Sequence, residues 1–173
     1  GTGDCGIPLR RLHQVLAGRV VRFSFDVYGQ PATEGSTRAY PYRKPDGTLG
    51  SRIVHDNPKL HAWREAVGWA AKARKPPGWP TGGPMAVEAT FRIPRPKSHY
   101  TRGKTPLLRP DAPPRPTGHS TGDLDKLVRA LGDSLTGITW DDDSQIVTIT
   151  AHKHWHATGT GMLTCTVEHV EEG

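Results

Sequence analysis

Two groups of aspartates stand apart in a chain that is otherwise basic. Asp123 and Asp125 lie in the sequence Gly-Asp-Leu-Asp-Lys, and a run of three aspartates occupies 141–143. Carboxylates repel one another and repel phosphates, so a convergent group is costly unless a cation lies between them. Mg²⁺ prefers oxygen ligands and can orient a water molecule toward a phosphodiester. The two clusters therefore predict a phosphodiester-hydrolysing site for Mg²⁺, with Mn²⁺ able to substitute.

Each cluster lies where one predicted element meets another. The first begins a predicted helix, the second precedes a predicted strand, and about fifteen residues separate them. We expect the chain to turn back over this stretch and to bring Asp123, Asp125 and Asp143 together as metal-binding, catalytic carboxylates. Asp123 and Asp125 are two residues apart and do not share a helix face. They can converge only if Asp123 is extended or capping while Asp125 lies in the first turn.

Each acidic cluster also has a purely structural interpretation. Asp123 alone is a good N-cap for the following helix. The triplet at 141–143 is equally consistent with a solvated turn. A calcium loop is not indicated, because the EF-hand spacing and its late glutamate are missing.

Three histidines alternate in the sequence His-Lys-His-Trp-His from His152 to His156. On a strand they share a face, and a zinc site is one interpretation of that pattern. The face would be opposite Val147 and Ile149, which favours solvated or DNA-facing histidines over metal ligands.

The positive charge of the chain is concentrated in one segment. The formal net charge is +6, and the segment from Arg95 to Ser120 has six basic residues and one acid, or +5. Seven prolines between Pro94 and Pro116 and the absence of a hydrophobic period predict a long extended or mobile loop. A focused positive field favours a polyanionic partner. The residues expected to contact DNA are Arg38, Arg43, Lys44, Arg95, Lys97, Arg102, Lys104, Arg109, Arg115 and Lys126.

Hydrophobic periodicity predicts a single α/β domain. Strands are predicted over 20–28, 85–93, 145–155 and 162–170, and helices over 57–75 and 124–135. Val147, Ile149 and Ala151 are expected on the inner face of the third strand, and residues 29–50 form a long loop or loose hairpin. Four strands and two main helices predict a mixed sheet with helices packed on it. Residues 1–19 form an extension with helical spacing from Ile7 to Ala17, and residues 20–173 form the domain.

Composition excludes several classes of protein. The chain has 173 residues, which suits one core, and no apolar run is long enough to span a membrane. No secretory signal pattern opens the sequence. Cys5 and Cys165 do not have a metal-binding spacing, and Cys165 is expected to be a buried strand thiol. These features predict a cytoplasmic protein.

The acidic motifs resemble those of the RusA family of Holliday-junction resolvases. The matching segments are DLDKLVRALGDSLTG and WDDDSQIVTITAHK. Asp123 and Asp125 match the family's first pair of acids, Asp142 and Asp143 match its second pair, and Gln145 follows them. Asp133 matches an acid late in the helix. The similarity covers roughly residues 20–170 in element order and is specific over 122–153.

The resemblance implies a RusA-like fold and a homodimer. It implies a bacterial or phage enzyme that makes Mg²⁺-dependent paired cuts in a four-way DNA junction during recombination and repair. Asp142 becomes a further metal ligand, and Lys153 matches a strand lysine at the site. Two positions depart from the family pattern: Lys126 replaces an asparagine, and Arg129 replaces a lysine one turn after Asp125. Arg129 keeps the charge but is a poor proton donor.

Two other functions fit the same sequence. One is a less selective nuclease for flaps or other branched DNA. The other is a DNA-binding protein whose acids are only caps and turns. Divalent-cation-dependent nicking separates an enzyme from a binder, and comparison of four-way, three-way and linear DNA separates the two enzymes.

Overall fold

A computed structural model describes residues 21–35, 37–55, 57–157 and 159–170. The helix predicted from Ile7 to Ala17 and the thiol of Cys5 lie outside these ranges. None of the helices within them is long and apolar enough to cross a membrane.

The described chain forms a mixed four-stranded sheet, two main helices and a separate hairpin. The elements are β1 (Val21–Tyr28), β2 (Thr37–Arg43), β3 (Leu49–His55), α1 (Leu60–Arg74), β4 (Met85–Pro94), α2 (Leu124–Leu135), β5 (Ile146–His156) and β6 (Met162–His169). The sheet order is β1-β6-β4-β5, and β2 pairs with β3. The predicted α/β class is confirmed, as are the four strands of the main sheet and both helices.

One crossover connects the only parallel pair of described strands. β1 and β4 run antiparallel to β6, whereas β4 and β5 are parallel. Parallel neighbours need a crossover connection, which the basic loop and α2 provide here. A hydrogen bond from Lys153, late in β5, to Gly122 fixes the start of α2 near the carboxyl end of β5. α2 therefore runs back along the sheet toward the amino end of β5.

A single hydrophobic core lies between the helices and one face of the sheet. Alternate residues of β1, β4 and β6 point into it, which confirms the predicted alternation. The buried residues of these strands are Phe23, Phe25, Val27, Met85, Val87, Ala89, Phe91, Ile93, Leu163, Cys165 and Val167. Trp63 and Val67 of α1 and Leu127 and Leu131 of α2 cover them. Burial raises the pKa of the Cys165 thiol well above its usual range.

The segment after β1, predicted to be a long loop or a loose hairpin, contains a hairpin. β2 and β3 pair from Thr37↔His55 to Arg43↔Leu49, so the hairpin extends five residues beyond the predicted segment. Its turn contains Gly47 at φ 84°, and Asp46 accepts hydrogen bonds from the backbone and hydroxyl of Thr48. These bonds lower the pKa of the Asp46 carboxyl.

The prediction that Val147, Ile149 and Ala151 of β5 are buried is wrong. Val147 and Ile149 are 60% and 43% exposed, and Ala151 is half-buried. β5 is an edge strand, so only β4 shields it. In addition, Met85 pairs with Ile146 while Ala86 pairs with Thr148, so Val147 lies at a shift of register. Apolar alternation alone does not distinguish a covered strand from an edge strand.

α1 begins two residues later than predicted, since Asn57 was expected to be the N-cap. Its N-cap position is Lys59, and the first helical residue is Leu60. Asn57 still stabilises the entry, because its Oδ1 accepts a hydrogen bond from the Lys59 amide at 3.1 Å. Its Nδ2 donates to the Thr33 carbonyl and thereby ties this turn to the segment after β1.

Candidate active site

A short, tightly held segment leads into α2. Thr121 is buried, and its hydroxyl donates to the carbonyls of Pro116 and Gly118 at 2.9 and 2.7 Å. Gly122 follows at φ 75°, and a Cβ there would lie 2.4 Å from Thr33 Cγ2. Glycine is required at this position both by conformation and by close approach. The backbone just before Asp123 is therefore fixed.

The first acidic cluster has the local geometry that convergence requires. Asp123 is the N-cap residue, with an extended backbone at φ −81° and ψ 138°, and Asp125 lies in the first turn of α2. The Asp123 carboxylate forms no capping hydrogen bond and instead pairs with Lys126 Nζ at 3.1 Å. Asp123 therefore occupies the N-cap position, as one interpretation predicted, but its carboxylate does not cap the helix. Both acids are exposed and available to a cation.

Lys153 connects β5 to this cluster. It pairs with Phe91 in the β4/β5 register and lies on the core side of the sheet. Its Nζ donates to Thr121 Oγ1 at 3.2 Å and to the Gly122 carbonyl at 2.5 Å. The ammonium therefore reaches the residue directly before Asp123, beyond the apolar layer.

Arg129 lies one turn after Asp125 on α2 and is exposed. Its spacing from Asp125 would allow an ion pair, but none joins these two side chains within the described chain. The guanidinium stays charged at every relevant pH. It is thus a cation beside the first cluster with its donors open to solvent.

The second acidic cluster is a capped turn. Asp142 accepts a hydrogen bond from the Ser144 amide and caps a short 3₁₀ helix, Asp143–Gln145. Hydrogen bonds from Ser144 lower the pKa of the Asp142 carboxyl. The Gln145 Oε1 accepts from the amides of Asp141 and Asp142.

Gln145 also anchors this turn to the segment before β4. Its Nε2 donates to the carbonyls of Thr81 and Gly83, each at 2.9 Å. The side chains of Asp142 and Gln145 therefore form hydrogen bonds with the backbone, as expected if this acidic run is a structural turn. Asp143 is exposed beside them, and its carboxylate takes no part in the capping box.

The structure does not bring the two clusters together within one chain. α2 has 12 residues, so it separates its two ends by about 18 Å at 1.5 Å per residue. The same separation follows from β5. Lys153 contacts the residue before Asp123, whereas Ile146 directly follows the turn that contains Asp143. These two residues are seven positions apart on β5, roughly 23 Å at 3.3 Å per residue. Over the described ranges, no group of three or more His, Cys, Asp or Glu side chains is placed to hold a metal. The expected return of the chain is wrong because α2 is a crossover helix.

An ion-pair network that sequence analysis missed holds α1 against α2. The guanidinium of Arg64 on α1 pairs with Glu34 at 2.8 Å and with Asp133 on α2. Glu34 is only 8% exposed, and its amide donates to the Lys126 carbonyl in the first turn of α2. The motif resemblance singled out Asp133, but no sequence signal connected it to Arg64 or Glu34.

The basic loop folds into a tongue, defined here as residues 95–118, anchored at Trp155. The Arg95 guanidinium lies 5.1 Å from the centre of the Trp155 ring, and His99 packs edge-on against that ring. The Trp155 indole donates to the Pro113 carbonyl at 2.9 Å. Tyr100 and Leu108 form an antiparallel bridge that narrows the middle of the tongue. The loop is therefore locally structured, and both of its arms meet at the end of β5.

The cations of the tongue differ in their partners. Arg109 forms a two-pronged ion pair with Asp111, which raises the pKa of Arg109 and lowers that of Asp111. Within the described ranges, no ion pair involves Lys97, Arg102 or Lys104, and all three are exposed. Lys97, Arg102 and Arg109 line one shallow surface depression together with Ser98, Tyr100 and Thr101.

The remaining predicted DNA contacts are spread over the surface. Arg43 and Lys44 are exposed at the end of β2, and Arg38 belongs to the same strand. Arg115 Nη1 hydrogen-bonds His154 Nδ1 at 2.7 Å. His152 and His154 share a face with ring centres 5.9 Å apart. No zinc site is formed by described residues there, since no group of three possible metal ligands is present.

An α/β fold with two exposed carboxylates at a helix start and a basic tongue, in which Lys97, Arg102 and Lys104 have no ion pair with a described residue, suits a protein that acts on a polyanionic backbone. Comparison with known protein families identifies the family within this class. The family model described as "Endodeoxyribonuclease RusA" matches residues 32–164. The chain therefore belongs to the RusA family of endodeoxyribonucleases, and the predicted family is confirmed.

One curated relative is similar over most of its length. "Uncharacterized protein YqaN" of Bacillus subtilis (strain 168) is 27% identical over 139 residues, which cover 76% of this chain and 86% of that protein.

Proposed function

We propose that this protein is a Mg²⁺-dependent endonuclease that resolves four-way DNA junctions by paired phosphodiester hydrolysis. The observation that carries the proposal is the pair of exposed carboxylates at the start of α2, neither of which caps the helix. Membership of the RusA family supports an activity on junction DNA. We further propose that it acts in the cytoplasm of a bacterium, encoded by the chromosome or by a phage.

The donor set suits Mg²⁺ but is incomplete in one chain. Asp123 and Asp125 supply hard oxygen ligands, whereas Asp143 lies at the other end of α2. A bound Mg²⁺ would supply an oriented water and offset charge on the attacked phosphate. The chain's own residues have supporting tasks: Lys153 holds the backbone before Asp123, and Arg129 offers a permanent charge to phosphate.

A homodimer resolves the separation of the two clusters. β5 is an edge strand, and its residues 147–150 are exposed, including Val147 and Ile149. An exposed apolar edge is a template for pairing with another strand. Antiparallel pairing of β5 with its copy, centred on Ile149, would set Ile146 opposite His152 of the partner subunit. Asp143 would then approach the end of the strand at which Lys153 of the partner subunit holds Gly122.

A two-fold pairing of this kind forms two equivalent sites. Each would contain Asp123 and Asp125 from one subunit and Asp143 from the other. Two symmetric sites fit a substrate that must be cut twice, once on each of two strands.

Mixing of inactive variants tests this arrangement. Asp125→Asn and Asp143→Asn are each expected to be inactive alone. In a shared-site dimer, the mixed species carries one intact site, so exchanged mixtures should nick one strand of a junction. In a single-chain site, both sites of the mixed dimer would be damaged, and mixing would restore nothing.

The double variant Asp125→Asn/Asp143→Asn is the matched control. Mixed with wild type, it should poison both shared sites of the heterodimer, whereas a single-chain site would leave the wild-type half active. Restored nicking in the first mixture with no activity of the second heterodimer supports the shared site, and the reverse pattern refutes it.

Two alternatives are separated by substrate choice. A less selective nuclease would cut three-way junctions and flaps as fast as four-way junctions. A DNA-binding protein would bind all of these without divalent-cation-dependent cutting.

A further inference from the structure

The face of the sheet opposite the core carries a compact cationic cluster. Arg92 on β4 and His154 on β5 are direct neighbours in the parallel register, and His152 lies two residues from His154. Arg115, from the base of the tongue, donates to His154 Nδ1 at 2.7 Å. Arg92 Nη1 donates to Thr164 Oγ1 at 2.8 Å, which fixes the guanidinium against the sheet.

None of these four groups forms an ion pair with a described carboxylate. Partial burial first, and then the charges of Arg115, His152 and Arg92, lower the pKa of His154. The four side chains therefore crowd positive or protonatable groups together, which is stable only if one of them stays neutral or an anion arrives.

The other titratable groups on this face include one carboxylate near Arg92, because Arg92 contacts Thr164 and Asp26 is the register partner of Thr164, about 5 Å away on the next strand. Glu88 lies four residues before Arg92 on β4, about 13 Å along the strand. One row crosses the whole sheet. In it, Asp26 on β1 pairs with Thr164 on β6, Thr164 pairs with Thr90 on β4, and Thr90 pairs with His152 on β5. That row spans three strand spacings, roughly 14 Å. Glu168 lies at the opposite end of β6, and His156 lies two residues beyond His154 toward Tyr100.

We propose that Arg92, Arg115, His152 and His154 form a second binding site for DNA backbone phosphate, which couples DNA affinity to histidine protonation. This inference rests on the proposed activity on DNA. Arg92 and Arg115 supply fixed charges, His152 lies beside them, and His154 supplies a charge and a second donor when it is protonated. The class of ligand is a phosphodiester, because its oxygens accept from guanidinium and imidazolium at the same time.

The site lies directly behind the candidate active site. Lys153 and His154 are consecutive, so their side chains leave β5 on opposite faces. Lys153 contacts Gly122 beside Asp123, whereas His154 contacts Arg115. Arg115 and His154 therefore lie on the face of the sheet opposite to the first acidic cluster.

The direction of the pH effect follows from the lowered pKa of His154. In the free protein, partial burial and then the neighbouring cations favour neutral His154, and a bound phosphate favours its protonated form. Binding therefore takes up protons, so DNA affinity rises as pH falls through the histidine range. Each proton taken up changes the dissociation constant by up to about tenfold per pH unit.

The test is DNA binding measured with EDTA present, so that no cleavage occurs. Dissociation constants for a fluorescent four-way junction are measured between about pH 5.5 and 8 and over a range of salt. The variants are His154→Gln, Arg115→Gln and Arg92→Gln. The matched controls are His61→Gln and Arg74→Gln, which remove the same groups from exposed positions on α1. Thermal unfolding verifies that each variant is folded.

The proposal predicts that His154→Gln flattens the pH dependence and that each arginine variant lowers the salt slope by about one unit. The controls should match wild type. Wild-type pH dependence and salt slope in both His154→Gln and Arg115→Gln would overturn the proposal while leaving DNA binding intact. If Arg92→Gln does not fold, the exposed Arg115 decides the question alone. NMR titration with inorganic phosphate gives a further outcome. If phosphate shifts the His154 ring resonances while the variants bind DNA as the wild type does, the site binds anions but is not a DNA site, and the proposal is wrong.

A wild-type protein that binds no junction at any pH would instead refute the proposed function.

Discussion

Lys153 Nζ donates a 2.5 Å hydrogen bond to the Gly122 carbonyl, one residue before Asp123. This contact joins the late part of β5 to the start of α2 and fixes the backbone from which the first acidic cluster projects. The Gly122 carbonyl lies just outside the helix, and a charged donor there is stronger than a neutral one. Lys153 is thus a positioning residue for Asp123 and Asp125.

Lys153→Met should lower junction cutting far more than junction binding. It removes the donor to Thr121 and Gly122 while keeping most of the side-chain volume, and the lost charged hydrogen bonds should cost about 2 kcal/mol of unfolding free energy. Single-turnover cleavage, binding in EDTA and urea unfolding measure the three effects. Partial recovery of cutting by Lys153→Arg would support positioning, and undiminished cutting by Lys153→Met would exclude it.

Asp123→Asn, Asp125→Asn and Asp143→Asn should each abolish cutting and preserve or tighten DNA binding. Each change removes a cation ligand and also removes a charge that repels phosphate. Cleavage with Mg²⁺ and binding without it are the two measurements. Asp141→Asn is the control, because its structural contact is made by its backbone amide and not by its carboxylate. Full cutting by Asp125→Asn would remove that residue from the site.

Arg129→Lys should keep most of the activity, whereas Arg129→Ala should lose much of it. The Arg129 side chain is exposed one turn after Asp125. Arginine and lysine can both supply a positive charge to phosphate from this position. A role in proton transfer would instead make the lysine variant faster and give it a new pH dependence. Initial rates of junction cutting against pH distinguish these outcomes. A wild-type rate for Arg129→Ala would make this residue a surface charge only.

The tongue should supply much of the salt-dependent binding. Replacement of Lys97, Arg102 and Lys104 by alanine removes three unpaired cations and should lower the slope of log affinity against log salt by up to about three units. Arg109→Ala should have a smaller effect, because Asp111 already pairs with it. Fluorescence anisotropy over a salt series measures the slope. An unchanged slope in the triple variant would exclude the tongue from the DNA interface.

Much of the fold could be predicted because most elements have covered, periodic faces. The bounds of α2 and the inward residues of β1, β4 and β6 follow from alternation and helical spacing. β5 differs, because Val147 and Ile149 alternate like core residues although they lie on an edge strand. Strand order is a tertiary property, so local periodicity does not reveal which strand remains uncovered.

The candidate site was predictable in its residue types but not in its placement. The spacing of Asp123 and Asp125 required an extended residue followed by a first turn, and α2 begins in that way. Their distance from Asp143 depends on the parallel pairing of β4 and β5, which the sequence does not display. The network of Arg64 with Glu34 and Asp133 joins three distant segments through ordinary charged residues, and it leaves no local signature.

Cleavage of a synthetic four-way junction tests the central claim most directly. The purified protein is incubated with the junction, a three-way junction and a linear duplex of matched sequence, each with Mg²⁺ or with EDTA, and both strands of every product are mapped. A junction-resolving endonuclease should make Mg²⁺-dependent, symmetrically paired cuts in the four-way junction and cut the duplex little. If a folded protein binds the junction but makes no divalent-cation-dependent cut, the proposed function is wrong.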